Sequence, residues 1–153
     1  MRHRVWIILL GVALLAVIGG ALRARMYFGD EGRIRQIIEK ARRATLARNM
    51  SAVLELVATD YGDGEGRTYA DIRRGLHEAF TQFASFKVDL HRLRVLAAGD
   101  SAQAAFDLVV SGTTVHGETG FLVGSFGTPT HVTLYLRKDR SGWKIVRGEG
   151  FSA

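Results

Sequence analysis

The chain has 153 residues, of which 47% are hydrophobic, one is proline and none is cysteine. This composition allows one folded domain of ordinary size and excludes a disordered chain, a disulfide scaffold and a thiolate metal site. The formal net charge is +6, but Arg2, Arg4, Arg23 and Arg25 supply four of these charges. Subtracting them from 21 basic residues leaves 17 against 15 acidic ones, so we expect no nucleic-acid partner.

The first strong pattern is the uncharged run 5–22, VWIILLGVALLAVIGGAL. As a helix it would be about 27 Å long, close to the hydrocarbon thickness of a bilayer. The other interpretation is a cleaved secretory signal, because basic residues precede the run and Gly19 and Ala21 resemble a small-residue cleavage site. The run is longer than the core of such a signal, and Arg23 and Arg25 follow it directly, which favours a retained anchor.

Basic residues flank this run on both sides, so charge alone does not set its orientation. Short basic N-termini usually remain in the cytoplasm, and long domains cross a membrane largely regardless of their own charge. We therefore expect a single-pass membrane protein: signal-anchor over 1–25, linker over 26–29 and domain over 30–153. The domain would be extracytoplasmic, and periplasmic if the source is a Gram-negative bacterium.

Helical patterns follow the run. A first helix is predicted from Asp30, with apolar residues at three-to-four spacing, and a short second helix is predicted with Ser51 as its cap. A third helix is predicted from Thr68, and the glycine at position 75 in its interior predicts a close backbone approach. The apolar stripes comprise Ile34, Ile37, Ile38, Ala41 and Ala44 in the first helix, and Tyr69, Ile72, Leu76, Phe80 and Phe83 in the third.

The stretch TDYGDGEGRTY, residues 59–69, places acidic residues among glycines before the third helix. A calcium loop starting at Asp60 would need oxygen ligands where Gly62 and Gly64 stand. The pattern therefore predicts a tight polar turn between two helices rather than a metal site.

Beyond Ser85 the period changes from helical to alternating, which predicts strands to the end of the chain. In AQAAFDLVV and HVTLYLR the apolar residues share one face, so Asp107 and His131 are predicted to point away from it. The alternation in FKVDLHRLRVL changes parity near His91 and Arg92, which predicts a β-bulge and a bent sheet. The last strand is predicted to carry five residues on its inner face: Trp143, Ile145, Arg147, Glu149 and Phe151.

The order of helices followed by a bent antiparallel sheet, with ATLARNMSAVLELVATDY at 44–61 and SGWKIVRGEGF at 141–151, resembles the nuclear transport factor 2-like superfamily. The resemblance implies a cone-shaped α+β domain of three helices packed on the sheet. That fold is shared by polyketide cyclases, scytalone dehydratase and ketosteroid isomerase, whose members place histidine, aspartate or tyrosine inside the cone. The superfamily also contains transport adaptors and secretion-system accessory domains, so the fold does not select a function.

Four polar residues are the candidates for the cone interior: Glu149, Arg147, Tyr61 and Tyr69. As an enzyme site, Glu149 would be the base and a tyrosine would orient a substrate carbonyl. The other interpretation is a structural ion pair between Arg147 and Glu149. His116 and Glu118 lack the spacing of a metal motif, and we expect neither a metal nor a cofactor.

The stretch GETGFLVGSFGTP, residues 117–129, is rich in glycine but lacks the lysine and serine or threonine of a phosphate-binding loop. Leu122, Val123 and Phe126 are apolar in a predicted hairpin connection. They are our candidates for contact with a ligand, a partner or the membrane surface, and the alternative is packing on their own sheet.

These patterns favour a membrane-tethered extracytoplasmic module, held through residues 5–22, that binds a protein partner or a small apolar ligand. The alternative is an isomerase, dehydratase or hydrolase acting on a small molecule inside the cone. A polar outward sheet face with Tyr135 near its centre also predicts a weak homodimer.

Overall fold

The computed structural model describes residues 29–151, and the packing discussed below lies within the compact unit that begins at Ile34. The predicted span 5–22 lies outside the described residues. No helix between residues 29 and 151 has the length and apolar character needed to cross a membrane. The helices are α1 (Asp30–Leu46), α2 (Met50–Leu54) and α3 (Tyr69–Gln82), and the strands are β1 (Ser85–Ala98), β2 (Ser101–Thr113), β3 (Thr119–Val123), β4 (Thr130–Asp139) and β5 (Gly142–Glu149).

The helical stripe of α1 faces the core as predicted, with Ile34 and Ile38 buried. Asn49, not Ser51, caps α2, because its side-chain oxygen accepts a hydrogen bond from the Ala52 N–H at 3.0 Å. The third helix begins beside Thr68, as predicted, and Thr68 is its cap: the Thr68 N–H and hydroxyl both donate to the Asp71 carboxylate, at 2.9 and 2.7 Å.

The close backbone approach predicted in α3 is wrong for Gly75 and occurs instead at Gly112 in β2. No atom lies within 4 Å of a Cβ built on Gly75, which is exposed. A Cβ on Gly112 would lie 2.4 Å from Cγ of Phe83, the residue that ends α3. Phe83 and Phe80 also make edge contacts with Phe86, so aromatic rings fill this end of the domain.

The sheet is antiparallel with the order β1-β2-β4-β5, and β3 pairs only with β2. Because β1 occupies the whole of one β2 edge, β4 and β3 share the other: β4 pairs with 101–108 and β3 with 110–113. The loop 124–129 therefore joins two strands that lie end to end along the same edge of β2.

The sheet has three register shifts: one in β3, at Leu122, and two that bear on the predicted faces of β1 and β5. The one in β1 lies between His91 and Arg94, and Arg92 there has a φ of 56°, which confirms the parity change read from the sequence. The other lies in β5, where Leu136 pairs with Ile145 but its neighbour Tyr135 pairs with Arg147, which leaves one extra residue, Val146, in β5.

The inward face of the sheet carries the predicted apolar residues and packs against the helices. The segment 56–62 covers the free edge of β5: the Ile145 N–H donates to the Leu56 carbonyl at 2.8 Å, and the Ala58 N–H donates to the Ile145 carbonyl at 2.9 Å. The buried set on the sheet comprises Val95, Ala102, Ala104, Phe106, Leu108, Val132, Leu134, Leu136, Trp143 and Ile145.

Candidate functional site

Arg147 and Glu149 lie on the outward face of β5, so their predicted place on the inner face is wrong. The extra residue at the β5 bulge reverses the alternation after Ile145. Trp143 and Ile145 remain buried as predicted, whereas Gly148 takes the next buried position. The ion pair therefore does not form a floor inside the cone.

On the outward face these two residues form a cluster with Tyr135, which we call the β4–β5 cluster. The Tyr135 hydroxyl donates to Glu149 Oε2 at 3.1 Å, and Arg147 Nη2 donates to Glu149 Oε1 at 2.5 Å. The Arg147 guanidinium also lies 5.6 Å from the centroid of the Tyr135 ring. Both oxygens of the Glu149 carboxylate are therefore engaged by donors on the outward surface.

Tyr61 is the candidate that does lie in the interior. It is buried, and its hydroxyl donates to Asp63 Oδ2 at 3.3 Å. The hydroxyl oxygen lies 3.0 Å from the place that a Cβ on Gly148 would occupy. Burial, followed by the charge of Asp63, raises the pKa of Tyr61 to about 12, so its phenol stays protonated at neutral pH.

The acidic glycine-rich loop is a polar turn, as predicted, and Asp63 is its centre. The Asp63 side chain is 1% exposed and accepts hydrogen bonds from the N–H groups of Glu65 and Arg67 at 3.0 and 2.9 Å. Arg67 Nε donates to the same carboxylate at 2.8 Å. Between residues 29 and 151, no group of three or more histidine, aspartate or glutamate side chains is placed to hold a metal ion.

Asp107 is buried as a whole residue, and its carboxylate belongs to the outward face. It accepts from His131 Nδ1 at 3.0 Å and also binds Arg92, two side chains that are themselves largely exposed. The hydrogen bond from His131, with the charge of Arg92, holds the pKa of Asp107 below its usual range. The outward orientation predicted for Asp107 and His131 is therefore confirmed.

Tyr69 lines an open surface groove of about 970 Å³, which Tyr61 does not line. The groove, which we call the α2–α3 groove, runs between α2, residues 57–60, the start of α3 and the β4–β5 hairpin. Its apolar floor includes Met50, Leu54, Val57 and Tyr69, and charged side chains form its walls. Of the two candidate tyrosines, Tyr69 therefore borders the groove, whereas Tyr61 belongs to the buried core.

Leu122 and Val123 belong to β3, so the prediction of a plain hairpin connection over 117–129 is wrong. Both are half-buried, and Val123 packs against the core. Phe126 stands beyond β3 at the tip of a tight turn, with its side chain 93% exposed. Of the three predicted contact residues, only Phe126 projects into solvent.

The turn that carries Phe126 is held at its base. Ser125 and Thr128 exchange two backbone hydrogen bonds of 3.0 Å, and Gly127 adopts a φ of 76°, as the third position of a type II turn requires. At Gly124, with a φ of 66°, an added Cβ would lie 2.9 Å from the Leu108 carbonyl oxygen. The close fit of Gly124 against β2 therefore fixes where the Phe126 turn leaves the sheet.

A family model for the SnoaL-like domain matches residues 33–150. The chain belongs to the SnoaL-like domain family. This membership confirms the superfamily resemblance and the α+β fold of helices on an antiparallel sheet. No protein of curated function matches this SnoaL-like domain significantly.

Solved structures share the fold at low sequence identity. A nuclear transport factor 2-like protein with a cystatin-like fold from Novosphingobium aromaticivorans is 22% identical, with a TM-score of 0.61 and coverage of 84% of each chain. A superfamily member from Salmonella enterica is 15% identical, with a TM-score of 0.64 over 78% of this chain and 87% of that chain. A proposed dehydratase of the same family from Streptomyces avermitilis is 11% identical, with a TM-score of 0.64 over 78% of this chain and 93% of that chain.

Sequence reasoning missed the groove of this SnoaL-like domain, including Met50, Leu54 and Arg73. These residues carry no local motif, because the groove is assembled from three separate stretches of the chain, 50–60, 69–73 and 137–144. The available signal was Met50 and Leu54 at helical spacing in a helix of five residues, which buries none of them fully. An apolar pair on so short a helix indicates a surface that another element or a ligand can cover.

Proposed function

We propose that this SnoaL-like domain is an extracytoplasmic binding module, tethered to the membrane through residues 5–22, and that the Phe126 turn is its main contact with a protein partner. The observation that carries the proposal is the 93% exposure of Phe126 on a turn closed by two hydrogen bonds. Aromatic side chains dominate the binding energy of many interfaces, and a turn that is ordered before binding loses little further conformational entropy.

The engagement of the buried carboxylates supports binding rather than catalysis. Exposed side chains on the outward face bind the Asp107 carboxylate, and the Asp63 carboxylate accepts from the Glu65 and Arg67 N–H groups and from Arg67 Nε. General acid–base catalysis requires a titratable group within hydrogen-bond reach of the substrate. An isomerase, dehydratase or hydrolase with Glu149 as base and Tyr61 as partner would need both side chains in one site. Here Glu149 lies on the outward face of the sheet, whereas Tyr61 is buried in the core.

The tether rests on the sequence. An uncharged run of 18 residues with arginines on both sides fits a helix that spans a bilayer with the N-terminus inside. We expect protease added to intact spheroplasts to cleave the domain, whereas a cytoplasmic control protein stays intact. Protection of residues 30–153 until the membrane is lysed would contradict the extracytoplasmic placement.

The partner contact is tested by cross-linking full-length protein in its native membranes and identifying the products by mass spectrometry. The variants are Phe126→Asp and a control, Val115→Asp, which changes another exposed apolar side chain in the turn between β2 and β3. We expect the wild type and the control to recover the same specific partner and Phe126→Asp to lose it.

Thermal denaturation of all three proteins checks that the substitutions leave the fold intact. If Phe126→Asp folds and recovers the same products as the wild type, the Phe126 turn is not the contact. If Val115→Asp loses the partner while Phe126→Asp keeps it, the interface lies at the β2–β3 turn instead, and the proposal for Phe126 is again wrong.

A further inference from the structure

The α2–α3 groove is open to solvent and large enough to hold a small molecule. Its volume of about 970 Å³ lies within the range of ligand pockets, and a second depression of about 560 Å³ shares Met50, Tyr69 and Arg73 with it. Tyr69 is half-buried and packs against the core, so the apolar floor is fixed by the fold rather than by a mobile side chain.

The three carboxylates of the groove already have partners. Asp60 accepts both Arg137 contacts, at 3.0 and 2.9 Å, and Asp139 accepts from the hydroxyl and N–H of Ser141. Glu55 Oε2 lies 3.8 Å from Nζ of Lys40, a cation that does not line the groove.

The formal charges that line the groove balance, with three carboxylates against three cations, but one cation is unpaired. Lys144 donates to the backbone carbonyl of Glu55, and its charge adds to the Ser141 hydrogen bonds that hold the pKa of Asp139 below its usual range. Arg137 is paired with Asp60. Arg73 is therefore the cation of the groove that has no carboxylate partner among the residues that the structure describes.

Tyr69 and Arg73 are four residues apart on α3, so their side chains project on the same side of the helix. From this arrangement we infer that the α2–α3 groove binds a small organic monoanion with an apolar body, such as an aryl-substituted carboxylate. The body lies on Tyr69, Met50 and Leu54, and the Arg73 guanidinium, whose planar fork matches a carboxylate, binds the anionic group. The inference does not depend on the Phe126 turn, which contributes no residue to this groove.

The test measures binding of 4-phenylbutyrate to the full-length chain in nanodiscs of zwitterionic lipid, with empty nanodiscs subtracted. Its neutral analogue, 4-phenylbutanamide, keeps the apolar body and removes the charge. We expect the carboxylate to bind about three- to tenfold more tightly than the amide, a modest factor because Arg73 is exposed to solvent. Isothermal titration calorimetry or saturation-transfer difference NMR supplies the dissociation constants.

Two variants locate the site. Arg73→Gln is expected to remove the preference for the carboxylate, whereas Arg94→Gln, which removes an exposed arginine from β1, is expected to keep it. Tyr69→Ala is expected to weaken both probes together, because both share the apolar body. Equal affinities for the two probes, no binding by folded wild type, or an unchanged preference in Arg73→Gln would each overturn the inference.

Discussion

Arg67 Nε lies 2.8 Å from Asp63 Oδ2 inside the loop that joins α2 to α3, and the two side chains differ sharply in exposure. The Asp63 side chain is 1% exposed, and that of Arg67 is 32% exposed. Burial alone would raise the pKa of Asp63, but hydrogen bonds from the Arg67 backbone and side chain and from the Glu65 N–H together lower it. The loop is thus organised around an ionised carboxylate.

Replacing that carboxylate should destabilise the domain. Asp63→Asn keeps the shape of the side chain but removes its charge and turns one acceptor into a donor that faces other donors. We expect the free energy of unfolding to fall by about 1–3 kcal/mol, measured by urea denaturation of the full-length chain. Asp60→Asn is the matched control, because its side chain is 61% exposed and should change stability by less than about 1 kcal/mol. Equal effects of the two substitutions would contradict the central role of Asp63.

Tyr61 should make the stability sensitive to alkaline pH. The folded domain holds the phenol proton more tightly than the unfolded chain, because the pKa is about 12 when folded against an ordinary 10.0. A raised folded pKa contributes stability that is present below pH 10 and is lost as the pH rises towards 12. We expect the unfolding free energy of the wild type to fall more steeply in this window than that of Tyr61→Phe.

The control for this titration is Tyr69→Phe, which removes a half-buried tyrosine from the start of α3. Absorbance of the phenolate, followed beside circular dichroism, should show the Tyr61 signal only as the domain unfolds. If Tyr61→Phe and Tyr69→Phe have the same pH profile, burial of Tyr61 is not the cause.

Gly112 should tolerate no side chain. An alanine Cβ there would lie 2.4 Å from Cγ and 2.9 Å from Cβ of Phe83, so the ring or the strand must shift. Overpacking of this kind typically costs about 1–3 kcal/mol of stability. Thermal or urea denaturation of Gly112→Ala should show that loss, and wild-type stability would mean that Phe83 can move freely.

Gly75→Ala makes the same chemical change, but we expect it to raise the free energy of unfolding rather than lower it. Gly75 lies inside α3 with no atom within 4 Å of an added Cβ, so the methyl group meets only solvent. Alanine restricts the unfolded chain and favours the helix, which should raise the unfolding free energy by about 0.5–1 kcal/mol. A loss of stability in this variant would show that the surface of α3 is more crowded than the structure indicates.

The outward sheet face still predicts a weak homodimer. The β5 bulge adds Arg147 and Glu149 to this face beside Tyr135, which makes it more highly charged than the sequence indicated. Such a polar face favours a small, hydrated interface. In sedimentation across a concentration series, we expect reversible dimers of the full-length chain in detergent and a shift towards monomer for Tyr135→Ala. A monomer at every concentration would reject the dimer, and Val115→Ser, outside the β4–β5 cluster, serves as the control.

The sequence by itself determined which face of an element is buried, wherever apolar residues recur at the spacing of a helix or a strand. The stripe with Ile34 and Ile38 predicted the inner side of α1, and strict alternation predicted the buried side of β2 and β4. The bulge in β1 was also predictable, because the apolar residues occupy even-numbered positions before His91 and odd-numbered positions directly after Arg92. The SnoaL-like fold follows from these elements and their order.

Tertiary structure alone decided where the polar candidates lie. The extra residue in β5, Val146, is apolar and leaves no visible break in the alternation, yet it moves Arg147 and Glu149 to the outward face. Gly112 and Phe83 meet only when α3 closes over the sheet, and the α2–α3 groove exists only after three separate stretches of the chain assemble. Periodicity reports which face of one element is buried, whereas a bulge or a groove depends on the register and packing between elements, and no single segment encodes that information.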